Sequence, residues 1–159
     1  MAEARTRRTP TPEELAAWRQ YIEAASAVET AVAALLRADS GLSSGDYAVL
    51  LALSEAEQHR LRSSVLAAGI GWERSRVSHH LARMEARGLI VRQDCATDSR
   101  GAEVVATQAG LDVFRSASAV HLRRIREVFV EALSPDQLDA AHEISVALRR
   151  HLAEAAPAA

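Results

Sequence analysis

The span from Arg74 to Gly101, RSRVSHHLARMEARGLIVRQDCATDSRG, constrains the fold of this chain more than any other. Val77, Leu81 and Met84 stand at spacings of four and three, so a helix through them carries one apolar stripe that must face a core. On a helical wheel the opposite side collects Ser75, His79, Ala82 and Ala86, with Arg76 and Arg83 on one flank and Ser78 on the other. That face is small, polar and cationic. Small residues let a helix backbone approach a duplex closely, and Arg, Ser and His can bond to base edges or phosphates. Gly88 then stops the helix, and Leu89-Ile90-Val91 opens a β-branched run that reads as a strand.

The flanking sequence supplies the rest of a helix-turn-helix. Ser43-Ser44-Gly45-Asp46 caps a helix carrying Tyr47, Leu50, Leu51 and Leu53, and the polar stretch from Ser54 to His59 breaks its pattern. Arg60-Leu61-Arg62 is long enough only for a minimal strand. Ser63 or Ser64 caps a short helix with Val65, Leu66 and Ala67, which closes at Gly69-Ile70-Gly71. A short helix, a glycine turn and a second helix with a polar outer face form the helix-turn-helix pattern. Behind it, Leu89 to Asp94 and Ala102 to Ala106 read as two strands joined by the turn-rich Cys95 to Gly101, a hairpin that would form a wing.

Long helices flank this unit. Residues 1–10 are charged, Thr-rich and without apolar period, and read as a disordered tail. At Thr11-Pro12-Glu13-Glu14, Thr is a good N-cap, Pro suits the first helical position and Glu14 completes a capping box. The stripe Leu15, Trp18, Ile22, Ala25, Val28, Val32 and Leu35 then runs to about Ala38. A helix this long and apolar exceeds what a small core covers, which leaves packing on a second subunit open. Thr107 caps another long helix through Leu111, Phe114, Ser118, Leu122, Ile125 and Phe129 to Leu133. Ser134-Pro135-Asp136-Gln137 is a second capping box, starting a last helix with Leu138, Ala141, Ile144, Leu148 and Leu152. The predicted fold class is mainly α with a small β-hairpin wing, and no internal repeat is visible.

Composition narrows the partners. The net charge is -2, but from His59 to Gly101 eight arginines face four acids, while the remainder carries eleven arginines and seventeen acids. One continuous segment is basic and the rest acidic, as expected when one face meets phosphate. Every cationic Lys-or-Arg position is arginine, which together with heavy alanine use reads as coding bias. No apolar run approaches the roughly 20 residues of a membrane span, and the N-terminal arginines lack an apolar segment behind them. The expectation is a cytoplasmic protein without a membrane partner. Lone Cys95 fits a reducing compartment and reads as an inert thiol.

No catalytic arrangement emerges. Ser63-Ser64 and His79-His80 lack an orienting acid at a recognisable spacing, and no glycine-rich phosphate loop follows a strand. His121, His142 and His151 lie on long helices without Cys or paired carboxylates at ligand spacing, so they read as surface or core histidines. Neither an enzyme nor a metal or cofactor is expected.

The segment Gly71 to Gly101, with Arg83-Met84-Glu85-Ala86-Arg87-Gly88-Leu89-Ile90 and then Asp98-Ser99-Arg100-Gly101, resembles the MarR family of bacterial winged helix-turn-helix regulators. The likeness extends over nearly the whole chain. The long first helix, the Thr107-x-x-Gly110 start of the fifth and the Leu133-Ser134-Pro135 start of the sixth sit where that family has them. It implies a single domain over 11–159, with 11–40 and 107–155 as dimerisation helices and 44–106 as the winged helix-turn-helix. It also implies a homodimer on a pseudo-palindromic double-stranded operator, with a small aromatic or phenolic effector in the cleft between its parts. By position, Arg74, Ser75, Arg76, Ser78 and His79 fall on the family's DNA-contacting stretch, Arg100 on its wing-tip arginine and Asp98 on the acid that orients it. Arg83 joins them from the flank of the same helix.

Two departures stand out. Glu73, after Trp72, takes the N-cap place usually held by Ser or Thr, and His79-His80 replaces an Arg followed by an apolar residue. A subset of relatives looks similar from Trp72 to Leu81. Trp18 and Tyr21 read first as packing residues; the second reading makes them effector contacts near the family's cleft, with Arg19 beside them to meet a carboxylate. Three functions remain open at this level: a ligand-released repressor, a DNA-binding regulator without effector, and a redox or metal sensor.

Overall fold

The computed structural model describes residues 9–94 and 102–155. These form, in order, helices and strands α1 (Pro12–Ser40), α2 (Ser44–Glu55), β1 (Arg60–Arg62), α3 (Ser63–Gly69), α4 (Arg74–Ala86), β2 (Ile90–Asp94), β3 (Ala102–Ala106), α5 (Gln108–Ile125) and α6 (Pro135–Ala155). The chain divides into two compact units, one from Glu29 to Leu122 and one formed by the segments on either side of it. Among the described residues no helix is long and apolar enough to cross a membrane.

The Glu29–Leu122 unit holds the core. Val77, Leu81 and Met84 of α4 are buried, as their spacing requires, together with Leu36, Leu42, Leu66, Ile90, Val104, Leu111 and Phe114. On α2 the buried face is Val49, Leu50 and Leu53, while Leu51 is 38% exposed. Spacing alone misplaced Leu51 because α2 is apolar nearly all round, so period cannot choose its face. The three strands pair antiparallel in the order β1-β3-β2, with Leu61 opposite Val104 and Ile90 opposite Ala106. Three residues suffice for β1 because β3 lies between it and β2.

Two glycines set the ends of the helix-turn-helix. After α3, Gly71 at φ 67° lets its own N–H reach Ala68 and the Trp72 N–H reach Ala67. After α4, Gly88 at φ 72° does the same, with Gly88 N–H on Glu85 and Leu89 N–H on Met84. Both are Schellman closures, which need a left-handed residue. Thr107 starts α5 by accepting the Gly110 N–H and donating its hydroxyl to the Gly88 carbonyl at 2.7 Å.

In the other unit the expected capping boxes are formed. Thr11 and Glu14 exchange bonds at 2.7 and 3.2 Å, and Ser134 and Gln137 at 2.8 and 3.3 Å. The continuous helix expected to Leu133 leaves α geometry at Ile125 and continues as a π-helical turn, Arg126–Val130, closed by a Glu131 N–H to Arg126 carbonyl bond. None of the described residues of this unit is buried. Tyr21, Ala25, Val28, Phe129 and Ile144 line an apolar groove of about 470 Å³ within it.

Candidate nucleic-acid interface

Helix α4 divides cleanly by burial. Arg74, Ser75, Arg76, Ser78, His79 and Arg83 are exposed on it, and Val77, His80, Leu81 and Met84 are buried. The arginines are not equivalent. Arg92 binds Glu85 at 2.8 Å, Arg87 binds Asp46 at 2.8 Å, and Arg60 lies 3.7 Å from Glu103. Arg83 donates to His80 Nδ1 at 3.0 Å. Neither Arg74 nor Arg76 is hydrogen-bonded or ion-paired among the described residues, so free positive charge gathers at the first turn of α4. The helix dipole adds to it there. Glu73 is the N-cap but its side chain makes no cap bond, leaving the first N–H groups open to another acceptor. Asp98, Ser99 and Arg100 lie outside the described residues, as does Cys95.

A polar cluster seats α4 on α2. Asp46 Oδ2 accepts from the Ser43 N–H at 2.9 Å and from Arg87 at 2.8 Å, and the Asp46 N–H donates to Ser43 Oγ at 3.1 Å. The same carboxylate thus caps α2 and holds the last turn of α4. Burial pushes its pKa up, but the Arg87 and Ser43 hydrogen bonds outweigh this and hold the carboxyl below its ordinary value. His80 Nδ1 accepts from Arg83, which puts the ring proton on Nε2, 3.0 Å from Asp46 Oδ1. That contact lacks hydrogen-bond alignment and acts as a charge-dipole attraction. Burial lowers the His80 pKa, against the pull of Asp46 and with the push of Arg83 and Arg87, so the ring is held neutral. His80 therefore fills the apolar position of the helix face rather than its outer one, while His79 points outward.

Trp72 completes this corner. Its ring meets His80 edge to face at 5.1 Å, and the Arg76 guanidinium carbon stands 4.0 Å from its centroid. Motif reasoning passed over Trp72, Asp46 and Arg87. The fourfold spacing of Trp72, Arg76 and His80 was a readable signal; the Asp46–Arg87 pair, far apart in sequence, had none.

Elsewhere, Trp18 is 58% and Tyr21 44% exposed, and Tyr21 lines the groove of the outer unit. Arg19 is exposed. Tyr47 packs its ring on Phe114 and His121 and hydrogen-bonds Ser118 at 3.2 Å. No group of three or more metal-capable side chains occurs among the described residues.

A helix-turn-helix, a three-stranded sheet behind it and an exposed cationic helix face define a DNA-binding domain of the winged-helix class. The family model described as MarR family matches residues 40–101. Sco3205, a MarR family transcriptional regulator from Streptomyces coelicolor solved in complex with DNA, is 35% identical over 91% of this chain and 94% of its own, with a TM-score of 0.83. AbsC, a MarR family regulator from the same organism, is 32% identical over 93% of this chain and 99% of its own, also at 0.83. The organohalide-sensing regulator RdhR-CbdbA1625, solved with 2,4-dichlorophenol, shares the fold at 20% identity, covering 91% of this chain and 86% of its own, with a TM-score of 0.76. No curated protein matches the chain. This chain belongs to the MarR family of DNA-binding transcriptional regulators, and the proteins it matches are regulators rather than enzymes.

Proposed function

We propose that this chain is a dimeric repressor that holds a pseudo-palindromic operator through α4 and leaves it when a small aromatic or phenolic ligand binds. The observation that carries the reading is the pair Arg74 and Arg76, whose side chains have no acid or hydrogen-bond partner among the described residues, beside exposed Ser75, Ser78 and His79 on the helix that follows the turn. Arg83 lends its remaining donors from the flank. Arg100 and Asp98 belong to this reading through the family resemblance. Two copies would present two α4 helices roughly 34 Å apart, one turn of B-DNA, and a ligand acts by changing that separation.

The second copy is supported by the outer unit. Trp18, Tyr21, Ile22, Phe129, Ile144, Leu148 and Leu152 are all exposed there, and Tyr21, Phe129 and Ile144 line one apolar groove, a surface of the kind that a partner covers. The effector reading is supported by Trp18 and Tyr21, two accessible aromatics with the Arg19 cation beside them, and by the phenol bound to the fold relative RdhR-CbdbA1625.

Footprinting on DNA upstream of the gene for this protein, repeated with a panel of phenolic acids and antibiotics, tests both halves. Protection of a two-fold site that a ligand abolishes is expected. Protection indifferent to every compound leaves a regulator without effector, and sensitivity to peroxide or chelators in its place would make it a redox or metal sensor. In binding titrations, His79→Ala should weaken binding or shift base preference. Arg100→Ala should lower the slope of log affinity against log salt by about one.

A further inference from the structure

Arg76 differs from the other arginines of α4 in how it is held. Its guanidinium lies over the Trp72 indole at 4.0 Å, four residues away along the chain. Trp72 is itself fixed from several sides. Its N–H is bonded to the Ala67 carbonyl at 2.9 Å in the turn that Gly71 makes possible. Its ring rests on the imidazole of His80 at 5.1 Å and 86°. Gly45 of α2 lies against both rings: a Cβ there would stand 2.5 Å from Trp72 Cη2 and 2.9 Å from His80 Cε1, so only glycine admits them. His80 is held in turn by Arg83 at Nδ1 and faces Asp46. The stack Gly45, His80, Trp72, Arg76 thus runs from the N-terminal turn of α2 to the exposed face of α4.

Stacking occupies the face of a guanidinium and leaves its edge. The five N–H donors of arginine lie in the plane of the group and point outward along that edge. No hydrogen bond or ion pair among the described residues takes any of them at Arg76. A phosphate accepts a cation in many poses, so fixing the plane adds little there. A guanine offers O6 and N7 as two acceptors at a set spacing and angle, which a planar fork at fixed tilt matches. A clamped Arg76 is therefore suited to reading a base, whereas Arg74, without such a partner, is suited to phosphate.

We infer that Trp72 is a positioning residue that clamps Arg76 as a guanine-reading fork for the operator half-site. This rests on the DNA-contacting role proposed above for α4, and the test separates the two. Binding sites are selected from a pool of randomised duplexes with the wild-type protein, Arg76→Lys, Trp72→Leu and Trp72→Phe. Wild type is expected to enrich a half-site containing a guanine whose preference falls on the order of tenfold in Arg76→Lys. The salt slope stays unchanged in that variant because the charge is kept. Trp72→Leu loses the same guanine, and Trp72→Phe, with a weaker ring face, loses it partly. Arg76→Lys combined with Trp72→Leu loses no more at that position than Arg76→Lys alone. In the DNA-free protein, NMR should show the Arg76 δ protons shifted upfield by the indole, and Trp72→Leu should return them.

A wild-type site whose guanine survives Trp72→Leu but not Arg76→Lys overturns the inference, as does a site from which Arg76→Lys removes no guanine. Should Trp72→Leu fail to fold by circular dichroism, Trp72→Phe decides: preference equal to wild type overturns it. Wild-type protein that enriches no sequence refutes the DNA-reading role of α4 itself, and the inference falls with it.

Discussion

Asp46 ties two helices together through one side chain, because the buried carboxylate closes α2 and anchors the next helix but one. Asp46→Ala removes the cap from the Ser43 N–H and leaves Arg87 and His80 without their acid. Arg87 is 43% exposed and recovers water, so the loss is that of a cap plus a half-buried pair, about 2 to 3 kcal/mol. A lower urea midpoint at fixed protein concentration would show it. Asp46→Asn, which still accepts the Ser43 N–H, should recover part. The folded-state pKa of Asp46 lies below its unfolded value near 3.8, so its contribution is present above that value and is lost as pH falls through the folded one. His80 and His121 titrate earlier. Burial lowers both below the ordinary histidine value of 6.5, so each stabilises the fold fully above that pH and ceases to as pH falls from 6.5 towards the folded value. Stability should therefore begin to drop below about pH 6.5, and His80→Gln should flatten that first decline in part, His121 keeping the rest. A His80→Gln profile that overlays wild type between pH 6.5 and 5 would remove the neutral, buried role of this ring.

Among elements, α5 starts hard against the backbone that links α4 to β2. A Cβ on Gly110 would stand 2.0 Å from the Leu89 carbonyl oxygen, which is backbone and cannot turn aside. Gly110→Ala should push α5 away and cost about 3 kcal/mol in chemical unfolding. Gly69, in the last turn of α3 with open space around it, should respond oppositely: Gly69→Ala gains about 0.5 to 1 kcal/mol by restricting the unfolded chain. Equal effects at the two sites would mean the close approach is not made. Thr107 was legible in the sequence because a capping hydroxyl has a local cause, as have Gly71, Gly88 and the capping boxes, whereas Gly110 came with the family resemblance and answers to the distant Leu89 backbone. The stripe of α4 was legible for the same reason. What escaped is long-range. Nothing local pairs Asp46 with Arg87, and a histidine on an amphipathic helix reads as polar until the acid and the indole that bury it are seen. The exposed Arg74 and Arg76 could be placed on one face from period alone, but which arginine keeps its charge free depends on acids from other elements, Glu85 and Glu103 among them.

At the scale of the molecule, the two compact units differ in kind. The Glu29–Leu122 unit buries its own core, whereas the described residues of the outer unit bury none of theirs. On α6, Ile144, Leu148 and Leu152 repeat at the spacing of one helix face and stay 49%, 43% and 67% exposed. The capping boxes at Thr11 and Ser134 show that these helices are specified locally, while the large apolar side chains of α6 stay exposed among the described residues. In the proposed dimer a second copy would supply an apolar partner with the same surface, and its two-fold axis would relate two α4 helices on a two-fold operator. Binding through two tethered half-sites exceeds binding through one by two to four orders of magnitude. Ile144→Glu combined with Leu148→Glu should therefore sediment as a monomer and bind a full operator at least about 100-fold more weakly, while its affinity for an isolated half-site changes little. Both substitutions lie outside the self-contained core, so the thermal transition of the inner unit should persist. A double variant that still sediments as a dimer would place the interface elsewhere on the chain. A true monomer with undiminished operator affinity would show that one α4 suffices and that the two-fold site is incidental.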